Sequence, residues 1–449
     1  MDRRHFFATS SAAALALAAE RSPVRAEVGE TLRVGLVGCG WYGMVNLRNL
    51  LIATKGNRKV EVVAVADPDS KHLEATAAEL TKTWGQQAPA THADFREMLK
   101  PGKLDAVIVG SPDHWHALHA IAAMTAGADV YCEKPICHTI DEGKAMLAAA
   151  VETKRVVQIG TQRRSTPHVT RAKEFIRSGK IGRVGMVKTC CYYNMRSTEN
   201  PPDQAAPGSL DWDLWTGPAP MVPFNKLYHP RGWRAFNAYG NGIVGDMFVH
   251  MLDTARYVLG FGWPKRITST GGIFVQKSAK ADIPDTQSIL LDYGDLSVTW
   301  DHRTYGQPDD ARYPWAVCFY GEKGVVKLDV DKWEYVPHFN AGGAKAFEDK
   351  ADLMPDLADK DQPANIVPGG LGHMKNFLEC VGTRKAPVAD IAEGYISTAT
   401  CLLGNVALKV GRSLTWDDKT QLVTADDEAN KLFRREYRKP WAYPGEPGA

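Results

Sequence analysis

Two α/β domains in tandem are what the sequence predicts: first a doubly wound parallel sheet, then an α/β domain with a largely antiparallel open sheet. Apolar strand-like runs alternate with helical patterns between Leu32 and Thr161, and that order builds a parallel sheet with helices on both faces. From Gln162 the chain turns strand-rich and is broken by Pro/Gly loops, as antiparallel sheets are. At 449 residues the chain is too long for one ordinary core, so two domains are expected.

The first residues, MDRRHFFATSSAAALALAAE, set Arg3 and Arg4 before Phe6 and Phe7 and a short Ala-rich stretch. This is the layout of a twin-arginine export signal, and VRAEV offers a small-residue cleavage site after Ala26. A membrane anchor needs about 20 strongly apolar residues, and this stretch is too short and too weak for one. The expectation is a signal over residues 1–26 and a periplasmic protein exported already folded. Eight cysteines show neither zinc-like nor disulfide-framework spacing, which predicts mostly free thiols and no structural metal. A formal net charge of +2 leaves no basic excess for a phosphate backbone, and a nucleic-acid partner is not expected.

Within residues 32–161, LRVGLV, VEVVAVAD, LDAVIVGSP, DVYCEKP and VVQIGTQ read as strands buried on both faces. NLRNLLIA, SKHLEATAAELTKTW, HALHAIAAMTAG and DEGKAMLAAAVETK carry apolar residues at helical spacing between them. The second domain, 162–418, opens with the helical VTRAKEFIRSG and continues with the strand text RVGMVKTCCYYN, QSILLDYGDLSVTWDHRT and WAVCFYGEKGVVKLDV. One helix, VGDMFVHMLDTARYVLG, interrupts it, and a late helix from Ile391 to Val410 packs back. Gly342–Pro368 reads as an exposed excursion, and 419–449 as a tail laid on the surface.

The first strand ends in RVGLVGCGWYG. Gly38 permits a tight turn, Gly40 lets the backbone approach a pyrophosphate, and Gly43 lets helix and strand pack closely. Cys39, Trp41 and Tyr42 lie between them, and the helix start offers N–H groups to phosphates. Asp67, about 24 residues past Gly43 at the end of the next strand, is placed to read the adenosine ribose. Strand, glycines, helix and acid together make this a dinucleotide site. Asp67 argues for NAD, while nearby Lys71 leaves NADP open. In GSPDHWH, Ser111 and Pro112 stand at the tip of the fourth strand, where they line the nicotinamide end, or else Asp113 or Ser111 simply caps a helix start; His116 is a further cofactor candidate, against a reading as a surface residue. In CEKPICHTIDEG, Glu133 and Lys134 either place an ammonium beside a nicotinamide or form an ordinary salt pair before a turn.

The combination GLVGCGWYG, VAVADPD, VGSPDHWH, YCEKPICHTIDEG and GNGIVGDMFVHMLD, in that order, resembles the glucose-fructose oxidoreductase, inositol dehydrogenase and rhizopine-catabolism (Gfo/Idh/MocA) family of sugar-related dehydrogenases. The resemblance covers nearly all of the chain after the signal. It implies an N-terminal Rossmann NAD(P)-binding domain, a C-terminal α/β domain with an open sheet, and association into homodimers or homotetramers. It implies a catalytic role for Lys134, often followed by a cis bond to proline, and maps the second catalytic element onto Asp246 and His250. A spacing of four places Asp246 and His250 on one helix face, with Gly242 and Gly245 keeping the helix start slim. Histidine suits a base near neutral pH, and Asp253 stands where it would orient the ring. The resemblance also implies a cofactor or substrate contact in TQRRS, for which Gln162 and Arg163 are chosen, against an interdomain salt bridge. GNGIVG departs from the three glycines of many relatives and leaves the loop shape open.

In DWDLWTGPAPMVPFNKLYHPRGWRAF, Trp233 and Arg234 are the candidate substrate contacts, while Trp212, Trp215, Tyr228 and Phe236 read better as a small aromatic core. The expected activity is NAD-dependent oxidation of a sugar, sugar-derivative or cyclitol hydroxyl, with Lys134, Asp246 and His250 at the reacting carbon. Two alternatives stand beside it: a redox-neutral NAD-dependent glycosidase or epimerase using the same site, and a cofactor- or carbohydrate-binding sensor without turnover.

Overall fold

The computed structural model describes residues 31–55, 59–100, 103–339 and 342–446. The twin-arginine segment lies outside the described residues. No helix among those described is long and apolar enough to cross a membrane.

The first sheet contains β1 (Leu32–Val37), β2 (Val60–Ala66), β3 (Ala90–His92), β4 (Ala106–Val109), β5 (Asp129–Cys132) and β6 (Val157–Ile159). Its order is β3-β2-β1-β4-β5-β6 and every pairing is parallel. This is the doubly wound arrangement expected, with its switch point between β1 and β4, where ligands bind at strand carboxyl ends. β3 carries only Ala-Thr-His at the exposed sheet edge, too short and polar to show strand periodicity.

The second sheet holds β7 (Val184–Cys191), β8 (Arg266–Gly272), β9 (Thr286–Asp292), β10 (Ser297–Arg303), β11 (Trp315–Gly321), β12 (Gly324–Leu328), β13 (Lys332–Pro337), β14 (Phe347–Lys350), β15 (Leu414–Asp417) and β16 (Leu422–Val423). Its order is β14-β13-β12-β11-β7-β10-β9-β8-β15-β16, antiparallel throughout except where β7 meets β10. One face of the alternating strands packs under the helix Val249–Leu259, where Phe248 stacks on Trp300 at 4.8 Å.

Two stretches differ from expectation. The supposed excursion Gly342–Pro368 contains β14, which pairs with β13. The following helix, Val367–Thr383, buries Leu371, Met374, Phe377 and Val381 against β1 and its neighbours in the first sheet. Its glycines hid it, because glycine weakens an isolated helix. Here they serve close approach: a Cβ on Gly370 would lie 2.7 Å from Asn49 Nδ2, and one on Gly369 would lie 2.3 Å from Thr166 Oγ1. The tail is not merely laid on the surface either, since Phe433 and Tyr443 are buried and Arg435 reaches Glu142 at 3.1 Å. All eight cysteines are unpaired.

Candidate active site

The glycine turn is built by mutual exclusion. Gly38 has φ +87°, and a Cβ there would come within 2.6 Å of Ser111 N. One on Gly43 would sit 1.9 Å from Gly38 O, and one on Gly110 would sit 2.5 Å from Gly43 Cα. These three glycines let β1, β4 and the helix Trp41–Thr54 close on one another. Gly40 is different, because its nearest neighbour would be His72 Cε1 at 4.0 Å. The missing side chain there serves no atom of the protein; it keeps the groove floor open. The helix that follows has no side-chain cap and no acidic residue in its first turn, so its leading N–H groups and dipole are free for an anion. The residues therefore fit a dinucleotide pyrophosphate. Gly40→Ala is expected to leave the melting temperature of the cofactor-free protein unchanged while weakening dinucleotide binding about tenfold or more, as thermal unfolding and a binding titration would report.

The groove, a cavity of about 310 Å³, is lined by Gly38, Gly40, Trp41, Tyr42, Asp67, Ser111 and Pro112 among others. Asp67 accepts the Cys39 N–H at 2.8 Å and the Asp69 N–H at 2.9 Å, which fixes its carboxylate at the groove wall after β2. Cys39 itself turns its thiol into the core, where burial pushes the thiol pKa up. Gly43 likewise acts on packing and lies outside the groove lining.

A second cavity of about 550 Å³ shares Trp41, Tyr42, Ser111, Arg231, Trp233 and Arg234 with the groove. It collects His116, Glu133, Lys134, Gln162, Arg163, Asp246 and His250 from both domains. Lys134 Nζ donates to Asp246 O at 2.7 Å and Oδ1 at 2.8 Å, and the Lys134–Pro135 bond is cis. Arg234 Nε stands 3.4 Å from the same Oδ1 and lies over the Trp233 ring. Burial would raise the Asp246 pKa, but Lys134 and Arg234 hold it down to about 2. Burial and the charges of Lys134 and Arg163 push His250 well below the ordinary histidine range, so its ring is neutral at neutral pH, with its lone pair unprotonated. Glu133 accepts the Asn46 amide at 2.9 Å, and burial raises its pKa to about 7.

Several local expectations are corrected by the geometry. Asp246 lies in a π-helical turn, Val244–Phe248, that precedes the helix Val249–Leu259. The Asp246–His250 pair is thus set by a widened turn, a feature that recurs at functional sites, rather than by an ordinary helical face. Gly242 and Gly245 do not make room for substrate: Cβ atoms there would meet Ile283 at 3.1 Å and Asn241 at 2.5 Å. Asp253 does not orient His250, whose Nδ1 has no partner among the described residues. It binds Arg164 through two 2.8 Å hydrogen bonds and Ser397 through one of 2.7 Å. Arg164 is thus the buried ion-pair residue, while Arg163 donates to Met251 Sδ at 3.1 Å and faces the cavity. Breaking such a pair costs about 3–5 kcal/mol where it strands a charge; Arg164 keeps Glu393 at 2.7 Å, which puts this site at the lower end. Asp253→Ala is expected to lower unfolding stability by that order and to leave the turnover of the folded fraction within about threefold of the parent, checked by thermal unfolding and rates per folded site.

Ser111 Oγ meets His119 Nδ1 at 2.9 Å, and His116 spans Ser111 O at 2.7 Å and Pro135 O at 2.6 Å. His116 therefore ties two strand-end loops together at the cavity wall. Gln162 donates to the Tyr42 hydroxyl at 2.7 Å. Trp212, Trp215, Tyr228 and Phe236 form an aromatic core, as the blander expectation had it; the core also takes in the buried Trp233, and both Trp215 and Trp233 show an edge to the groove. Contributors not anticipated include Asn46, Tyr193, Asp329, Asp361 and Asn365. Asp113, at the start of a short helical turn, also faces the cavity, and burial raises its pKa to about 7. Asp69, His72 and His229 place potential ligand atoms within 4.8 Å of one another beside Asp67. His72 Nδ1 already faces Asp67 at 3.3 Å, and His72 and His229 line the groove beside it.

Three family models match in succession: an oxidoreductase family with an NAD-binding Rossmann fold over residues 32–161, a GFO/IDH/MocA C-terminal domain over 169–327, and an oxidoreductase-family C-terminal α/β domain over 286–443. Inositol 2-dehydrogenase 2 of Saccharopolyspora erythraea is 34% identical over 374 residues, 82% of this chain and 94% of its own. Levoglucosan dehydrogenase of Pseudarthrobacter phenanthrenivorans is 29% identical over 238 residues, 51% of this chain. The match spans about half, 52%, of that relative, as it does of a Comamonas testosteroni dehydrogenase. Among solved structures, a levoglucosan dehydrogenase in complex with NADH and levoglucosan superposes with a TM-score of 0.64 at 19% identity, covering 86% of this chain and 99% of that one. That likeness concerns the fold.

Proposed function

The chain belongs to the Gfo/Idh/MocA family of oxidoreductases, and from that premise we propose that it oxidises a hydroxyl-bearing carbon of a sugar, sugar derivative or cyclitol with a tightly bound NAD. The observation that carries the proposal is the Lys134–Asp246 pair, 2.8 Å apart, in one cavity with a neutral, buried His250. When bound, the nicotinamide supplies a hydride acceptor. His250 takes the hydroxyl proton as general base. The Lys134 ammonium holds the substrate oxygen and stabilises the charge that develops on it. Asp246 aims Lys134, while Trp233 and Arg234 flank the substrate. A pure binding module would have no use for a proton acceptor beside a fixed ammonium, which disfavours the sensor alternative. Export by the twin-arginine route and assembly into a homodimer or homotetramer are part of the same proposal.

The test is a panel of polyols deuterated at the carbinol carbon, offered to NAD-loaded protein. One or more members should reduce the nicotinamide and leave their deuterium on it, read by mass spectrometry. Deuterium lost only to water, or no reduction by any member, would contradict the proposal.

A further inference from the structure

We propose that the C-terminal segment 433–446 builds an adenine-binding subsite and straps the cofactor into its groove, with Trp441 as the wall against the purine ring. The inference rests on the groove being a dinucleotide site and adds what holds the far end of that dinucleotide. The catalytic end is marked by Lys134 after β5, on one side of the switch point. On the other side, Asp67 after β2 and Phe95 after β3 line the groove, so the adenosine half extends that way. Trp441 lines this groove and is not part of the cavity that contains Lys134. Its ring stands edge-on to Trp115 at 4.7 Å and lies near-parallel to Phe95 at 6.4 Å, with the Arg96 guanidinium 4.5 Å above it. Phe95, Trp115 and Trp441, backed by His119 stacked on Trp115 at 4.6 Å, thus form an aromatic wall of the groove, the kind of surface on which a nucleobase stacks regardless of its hydrogen-bonding edge.

The segment is fastened on both sides of this slot. Arg438 donates to Asp213 Oδ1 at 2.7 Å and Gly217 O at 3.0 Å, in the second domain. Arg435 donates to His114 O at 2.9 Å, and the Tyr443 hydroxyl meets Thr139 Oγ1 at 2.9 Å, both in the first domain. A ring held this way cannot swing aside without breaking charge-assisted hydrogen bonds, so nucleotide exchange requires the strap to detach.

The experiment uses the full chain loaded with NADH, chased with excess NAD, with bound-nucleotide fluorescence followed over time. Trp441→Ala is expected to speed NADH release by at least about tenfold, and Trp441→Phe to restore most of the retention. Arg438→Ala, which touches no part of the groove, is expected to speed release as well because it frees the strap. Melting temperatures of the variants show that each is folded. Parental release rates in both Trp441→Ala and Arg438→Ala would overturn the strap while leaving the dinucleotide site intact. A parent that binds no NADH at all would overturn the strap and the functional proposal together.

Discussion

Lys134→Met is expected to lower kcat/KM by about a thousandfold or more while the protein still folds. Methionine keeps the length and flexibility of the side chain and removes only the ammonium, which is the group that donates to Asp246 O and Oδ1. With it goes the cation that donates to Asp246 and is placed to hold the substrate oxygen, and losing a preorganised electrostatic contact of this kind typically costs about 10²–10³ in rate. Further loss follows because Asp246 keeps only Arg234, at 3.4 Å, and its pKa then climbs from about 2. Arg234 also supplies the reason folding survives: the buried carboxylate retains one counter-charge. Steady-state rates at saturating NAD, set beside thermal unfolding, separate the two effects. A variant with most of its activity would remove Lys134 from the chemistry.

His250→Asn is expected to cost about 10²–10⁴ in kcat, the range of a lost general base, and to change the shape of the pH profile. In the parent, burial and then the charges of Lys134 and Arg163 disfavour the imidazolium. The base is therefore competent at neutral pH, and the acid limb of kcat/KM falls below the ordinary histidine range. In His250→Asn that limb disappears. Arg163→Gln, which removes one of the charges opposing protonation, should move the limb to higher pH without abolishing turnover. A His250→Asn profile that keeps the parental acid limb would assign the base to another residue of the cavity, for which Asp113 and Glu133, each raised to about 7 by burial, are the alternatives.

The parallel sheet was legible because strands buried on both faces must be continuous apolar runs, and because glycines at 38, 40 and 43 punctuate a strand–helix junction in only a few ways. The Lys134–Asp246 contact was reachable only through the resemblance, since nothing local to residue 134 says which residue about a hundred positions later will face it. The second domain was less legible at its edges. β14 and β16 are short, and β14 is mostly exposed, so they lack the alternation that marks β9 and β10. The helix Val367–Thr383 was hidden by glycines whose purpose is tertiary. Asp253 shows the opposite hazard: its spacing from His250 suited a ring-orienting acid, but a nearby buried arginine claimed it. Spacing shows what a residue can reach, whereas burial and competing partners decide what it binds. Trp441 carried no signal at all, because the aromatics of a Pro-rich tail follow no period.

The most direct test of an NAD-dependent redox site is to denature the protein, purified without added cofactor, in acid and identify what it releases by mass spectrometry. Near-stoichiometric NAD(H) is the expected result, since a groove walled by both domains and the tail should retain its ligand through purification. Protein that releases none, and takes up none when NAD(H) is supplied, would contradict the assignment of the groove and with it the catalytic roles of Lys134 and His250.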